Sequence, residues 1–197
     1  MNATRFTIQL SSFLVVFALI IGSDMRALAQ DGHSHGTAIV TPDQKNDAAT
    51  LLKIVRESTE RFRDVSAAEA EGYVLTFGCV SGSDSGAMGL HYVNSALVGS
   101  GVLDPTRPQI VLYEPTPNGR PRLTGADYLV LADRWDATHS APPQLMGQLF
   151  HLFESPNRFG LPAFYTLHVW AWKENPNGAF VNWHPKVSCE TFSGPSN

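Results

Sequence analysis

Phe164-Tyr165-Thr166-Leu167-His168-Val169-Trp170-Ala171-Trp172-Lys173, followed by Glu174-Asn175-Pro176-Asn177-Gly178, is the stretch on which the fold class turns. Its first ten residues are rich in the aromatic and β-branched side chains that suit a pleated strand. The Asn-Gly pair that follows favours the positive φ angles of a tight hairpin turn. The same grammar repeats outward from this point. Strands are expected at residues 73–77, 89–94, 109–114, 127–132, 164–173 and 179–183, each bounded by glycine, proline or asparagine. A second Asn-Gly turn stands at Pro117-Asn118-Gly119. Each such turn is expected to join two neighbouring strands, so the sheet reads as antiparallel.

Ahead of the sheet the period changes. Thr41-Pro42-Asp43-Gln44 is a capping box with proline at the first helical position, and Ala48, Leu51, Leu52, Val55 and Phe62 recur at helical spacing. A helix is expected over residues 42–62. Ser66-Ala67-Ala68-Glu69 is a second capping box, and the short alanine-rich run behind it stops at Gly72. The fold class is therefore α+β: N-terminal helices packed on a curved antiparallel sheet or partly open barrel. Residues 81–86 and 134–158 read as irregular loops.

Residues 1–29 read as a signal peptide. Arg5 precedes an apolar run from Phe13 to Ile21, too short to cross a bilayer, and Ala27-Leu28-Ala29 is a small-x-small cleavage pattern. Residues 30–40 read as a flexible N-terminal segment, and residues 41–197 as a single domain. The mature chain has no integral membrane segment and is expected to be periplasmic or secreted. Its two cysteines, Cys79 and Cys189, read in an oxidising compartment as one disulfide. The competing use, as soft metal ligands, lacks a CxxC spacing. The formal net charge is −4. No lysine or arginine cluster offers a phosphate-neutralising stripe, which argues against nucleic acid.

Five of the seven histidines fall in the domain: His91, His139, His151, His168 and His184. Alternation puts His91 on a strand face with Gly89 and Val93, and His168 on a face with Thr166, Trp170 and Trp172. Glu114 shares a face with Ile110 and Leu112. Imidazoles and carboxylates on such faces need partners. His91, Glu114 and His168 are thus the expected ligands of one transition-metal ion, zinc, copper or iron, with His151 as a further candidate. The alternative is that each is separately satisfied by the fold. His139 reads as a solvated loop residue, and Asp84, Asp104, Asp127, Asp133 and Glu154 as solvated acids. His33 and His35, near the new N-terminus, form a weaker copper or nickel motif. No GxSxG elbow points to a nucleophile.

Gly86-Ala87-Met88-Gly89-Leu90-His91-Tyr92-Val93-Asn94, Leu112-Tyr113-Glu114-Pro115 and the block from Leu167 to Gly178 resemble those of a family of uncharacterised exported bacterial proteins. The resemblance runs from Leu51 to Cys189. It implies export and brings no activity with it. The family has asparagine before proline where this chain has His184-Pro185, which sets His184 apart from any shared role.

Three function classes remain. The first is a metal-binding protein, or one that uses its metal as a Lewis acid on a small molecule. The second is a non-enzymatic module that holds an apolar or aromatic small molecule against Trp135, Trp170, Trp172 and Trp183. The third is a structural envelope protein without a small-molecule site.

Overall fold

The computed structural model describes residues 41–194. The expected signal peptide (1–29) and flexible segment (30–40), with His33 and His35, lie outside the described residues. Helix α1 spans Pro42–Thr59 and starts as its sequence dictates: the Thr41 hydroxyl accepts from the Gln44 amide while the Gln44 side chain accepts from the Thr41 amide. A 3₁₀ turn, Glu60–Arg63, completes the expected helix. Helix α2, Val65–Ala70, is capped two residues earlier than expected, by Asp64, whose carboxylate accepts from the Ser66 amide. An ionised acceptor at a helix N-terminus is favoured there by the helix dipole as well as by the hydrogen bond.

The remaining elements are β1 (Val74–Gly82), β2 (Gly86–Val93), α3 (Ser95–Ser100), β3 (Ile110–Glu114), β4 (Arg122–Leu131), α4 (Ala132–Asp136), β5 (Gln144–Leu145), β6 (Gln148–Leu149), β7 (His151–Phe153) and β8 (Phe164–Val169). Six strands form one curled antiparallel sheet, a half-barrel in the order β1-β2-β3-β4-β8-β7, while β5 and β6 make a separate small hairpin. The fold is α+β.

Both faces of the sheet are covered. Leu51 and Val55 of α1 pack on Tyr128, Val130 and Leu167, and Phe62 and Ala68 pack on Leu90 and Tyr113. On the other face Val93, Ile110, Leu112, Leu129 and Phe164 are buried beneath Phe159 and Leu161, which belong to the connection between β7 and β8. Burial on two sides explains why β3 and β4 read as nearly continuous apolar runs.

Several expected boundaries move. The strand expected over 164–173 ends at Val169, because the chain there crosses closely over Gly125, where a Cβ atom would stand 2.1 Å from the Val169 carbonyl oxygen. Beyond it Trp172 and Lys173 donate backbone hydrogen bonds to the Thr124 carbonyl. The Asn177-Gly178 turn forms, with Gly178 donating to the Asn175 carbonyl, but residues 179–183 add no strand. The turn at 117–119 does join two strands, β3 and β4. Residues 81–86 are half strand and half turn: 81, 82 and 86 belong to the ends of β1 and β2 and 83–85 turn between them, while 134–158 holds most of α4 together with β5, β6 and β7.

The disulfide between Cys79 and Cys189 is present, with Cα atoms 5.7 Å apart, and ties β1 to the C-terminal segment. No helix among the described residues is long and apolar enough to cross a membrane.

Candidate metal centre

Directly paired residues in an antiparallel sheet project from the same face. Asp127 on β4 is paired with Ile110 on β3 and with His168 on β8, while His91 on β2 is paired with Leu112. Ile110 and Leu112 are two apart on one strand, so all three polar groups leave the face opposite the helices. One ligand atom from each of His91, Asp127 and His168 lies within 4.8 Å of the others. The three residues are 2–3% exposed.

The hydrogen bonds around the cluster leave donor atoms free. Nδ1 of His91 lies 3.0 Å from the Gly89 carbonyl oxygen; a proton held there leaves Nε2 with its lone pair. Asp127 accepts from the Thr166 hydroxyl. For His168 neither ring nitrogen has a well-formed hydrogen bond, although both are buried: Nδ1 is 3.5 Å from the nearer Asp127 oxygen, and the Asn182 side chain, whose buried oxygen is also unpaired, is near enough only to favour the charged ring weakly. A buried polar group without a partner costs about 1–3 kcal/mol and is rare in folded proteins.

Burial sets the charges. It lowers the His91 imidazole to about 4, helped by His168, and the His168 imidazole to about 3, helped by His151 and against the pull of the Asn182 side chain. Burial also raises the Asp127 carboxyl to about 6, against the pull of the Thr166 hydroxyl bond and of His91. Near neutral pH the cluster therefore offers two neutral imidazoles and one carboxylate. That donor set suits zinc, iron or copper.

Around it four phenylalanines, Phe77, Phe153, Phe159 and Phe164, with Ile110 and Leu129, line a narrow cavity. Its free volume is about 10 Å³, roughly what a single water molecule occupies by the same measure. No protein-family model matches the chain, and neither a similar curated protein nor a similar solved structure was found. The chemistry of the cluster therefore rests on its own residues.

The structure brings His91 and His168 together as expected, but the carboxylate beside them is Asp127 and not Glu114. Glu114 is buried, as the alternation of β3 implies, yet it is satisfied elsewhere: one oxygen pairs with Arg122 opposite it on β4, the other with Lys173. His151 lies outside the three-residue cluster. It is exposed on edge strand β7, opposite Thr166, and acts on His168 and Asp127 through its charge. His184 is fully buried and its ring is satisfied by the Glu174 carbonyl and the Lys186 amide. His139 is exposed and stacks on Trp135.

No tryptophan lines the cavity. Trp170 and Trp172 donate their indole N–H groups to the Val181 carbonyl and the Thr59 hydroxyl, and Trp135 donates to the Ala141 carbonyl.

Asp127 is the one residue of the cluster that the sequence does not single out. At the start of an expected strand it reads as a terminal, solvated acid, whereas β4 begins at Arg122 and buries every residue from Leu123 to Val130. The signal was available in Leu123-Thr124-Gly125-Ala126-Asp127-Tyr128-Leu129-Val130, a run with a single charge at its middle.

Proposed function

We propose that this is an exported protein whose sheet holds one transition-metal ion on His91, Asp127 and His168. The observation that carries this reading is His168: an imidazole buried with both nitrogens unpaired, beside a second imidazole and a carboxylate, is a costly arrangement that a bound cation would relieve. His91 bonded to a backbone carbonyl and Asp127 bonded to Thr166 supply the outer hydrogen bonds that orient metal ligands in known sites. The narrow cavity limits any added ligand on the ion to about the size of one water molecule.

Export is supported by the signal-like first 29 residues, by the disulfide and by the resemblance of three sequence blocks to exported bacterial proteins. The metal content of the protein purified without chelators tests the centre. One ion per chain is expected in the wild type, lost in His91→Ala, Asp127→Ala and His168→Ala and kept in Glu114→Gln. A folded wild type that stays metal-free after incubation with zinc, iron or copper overturns the proposal. Mass measurement of the mature protein tests export, with a start near residue 30 as the expected result.

A further inference from the structure

Met88 and His91 are three residues apart on β2, and unbroken alternation would send them to opposite faces of the sheet. They nevertheless line the same cavity, together with Asp127 and His168. The cause is a bulge. Val80 of β1 faces Gly89 and the next residue, Ser81, faces Ala87, so Met88 is the extra residue without a cross-strand partner. Gly89 makes the kink possible: its φ is +91°, and a Cβ there would stand 2.3 Å from the Tyr113 carbonyl oxygen. Bulges beside functional sites commonly re-aim one side chain. Here the re-aimed group is a thioether, 1% exposed.

Apart from the two imidazoles and the Asp127 carboxylate, the cavity offers only hydrocarbon, the Thr166 hydroxyl already given to Asp127, and this sulfur. Two considerations then select the ion. Thioether sulfur is a soft donor that favours copper(I) over the harder divalent ions, which want several oxygen ligands and retained waters, where a space of about 10 Å³ admits about one water. Charge points the same way. Asp127 is the single acid lining the cavity, so a monovalent cation leaves the interior neutral while a divalent one leaves an uncompensated positive charge among phenylalanines.

We propose that the centre is a copper(I) site in which Met88 supplies a thioether ligand beside His91 and His168, with Asp127 as the neutralising carboxylate. The proposal rests on the metal-centre reading above and adds the identity of the ion and a fourth ligand. Its test is anaerobic titration of the mature protein with copper(I) against a chromophoric chelator, and separately with zinc(II), for wild type and Met88→Leu. Leucine is close to methionine in volume, so the fold is expected to survive the exchange.

The expected result is one copper(I) per wild-type chain, a loss of affinity of about 10- to 100-fold in Met88→Leu, and zinc affinity unchanged between the two. X-ray absorption of the copper-loaded wild type is expected to show a sulfur neighbour, which keeps the proposal testable should the variant misfold. Equal copper affinity in both proteins, or a spectrum without sulfur, overturns it. A wild type that binds zinc but not copper(I) sinks this proposal and leaves the metal centre standing; one that binds neither of these, nor iron, sinks both.

Discussion

Nδ1 of His168 stands 3.5 Å from a carboxylate oxygen of Asp127, directly across two paired strands, and neither nitrogen of that ring has a hydrogen bond. The separation exceeds the usual hydrogen-bond range and is close to that between two ligands of one ion held at about 2.1 Å. The folded chain thus keeps two polar groups side by side with little direct bonding between them.

This relationship makes stability and metal binding respond in opposite directions to one substitution. In the metal-free protein His168→Leu removes a buried, unsatisfied group and is expected to leave stability unchanged or to raise it by about 1–2 kcal/mol. The same variant is expected to hold no metal. Chemical denaturation of the metal-free proteins checks the first part; a loss of several kcal/mol would show that the imidazole serves the fold.

Acid is expected to destabilise the metal-free protein below about pH 6. The two buried imidazoles titrate near 4 and 3 when folded but near 6.5 when unfolded, so unfolding takes up to two protons between those values. Asp127 works against this, since its folded value near 6 exceeds its unfolded one and it releases a proton on unfolding between about pH 6 and 4. Net uptake is about one proton in that window. Stability should fall by about 1.4 kcal/mol for each pH unit of acidification there, readable from denaturation midpoints at several pH values.

Glu114 should behave as a structural residue. Its buried carboxylate joins Arg122 and Lys173, of which only the lysine is mostly covered. Glu114→Ala leaves that ammonium with the Lys186 carbonyl but without its anionic partner and is expected to cost about 1–3 kcal/mol while metal stoichiometry is unchanged. Loss of metal in a folded Glu114→Ala protein would contradict the assignment of Asp127 as the carboxylate of the centre.

Gly89→Ala should be among the more damaging single-atom additions. The positive φ disfavours any side chain, and the close Tyr113 carbonyl leaves no room for a methyl group. A loss of about 2–4 kcal/mol is expected, together with weaker metal binding, because the bulge positions both Met88 and His91. Alanine at Gly101, where φ is also positive but nothing lies within 4 Å, should cost about 1 kcal/mol and leave metal binding unaffected.

Local signals carried most of the architecture. The Thr41–Gln44 capping box starts α1 at the expected residue, and the Asn118-Gly119 turn joins β3 to β4. These are short-range effects, written in neighbouring residues. Expectation and structure part where distant segments decide the outcome. The strand at 164–173 stops early because of the backbone at Gly125, and residues 179–183 meet the backbone of the sheet only through the Trp170–Ala179 backbone bond and the Ala87–His184 bridge just beyond them, too little for a ladder. The candidate site follows the same pattern. Alternation identified the inward imidazoles of His91 and His168 and the burial of Glu114. It did not tell which acid would meet the imidazoles, since Arg122 opposite Glu114 and His168 opposite Asp127 are consequences of strand register.

The packing of the first helix on the last strand also bears on how the protein is made. Leu51 and Val55 rest on Leu167, and Arg56 donates to the Ala171 carbonyl across 115 residues of chain. Until β8 is in place the apolar stripe of the helix has only part of its seat, on Tyr128 and Val130 of β4, and β4 presents a bare edge of the kind that recruits other chains. Chains that end before residue 164 lack this strand and are expected to be less stable and more open to proteases than the full-length protein.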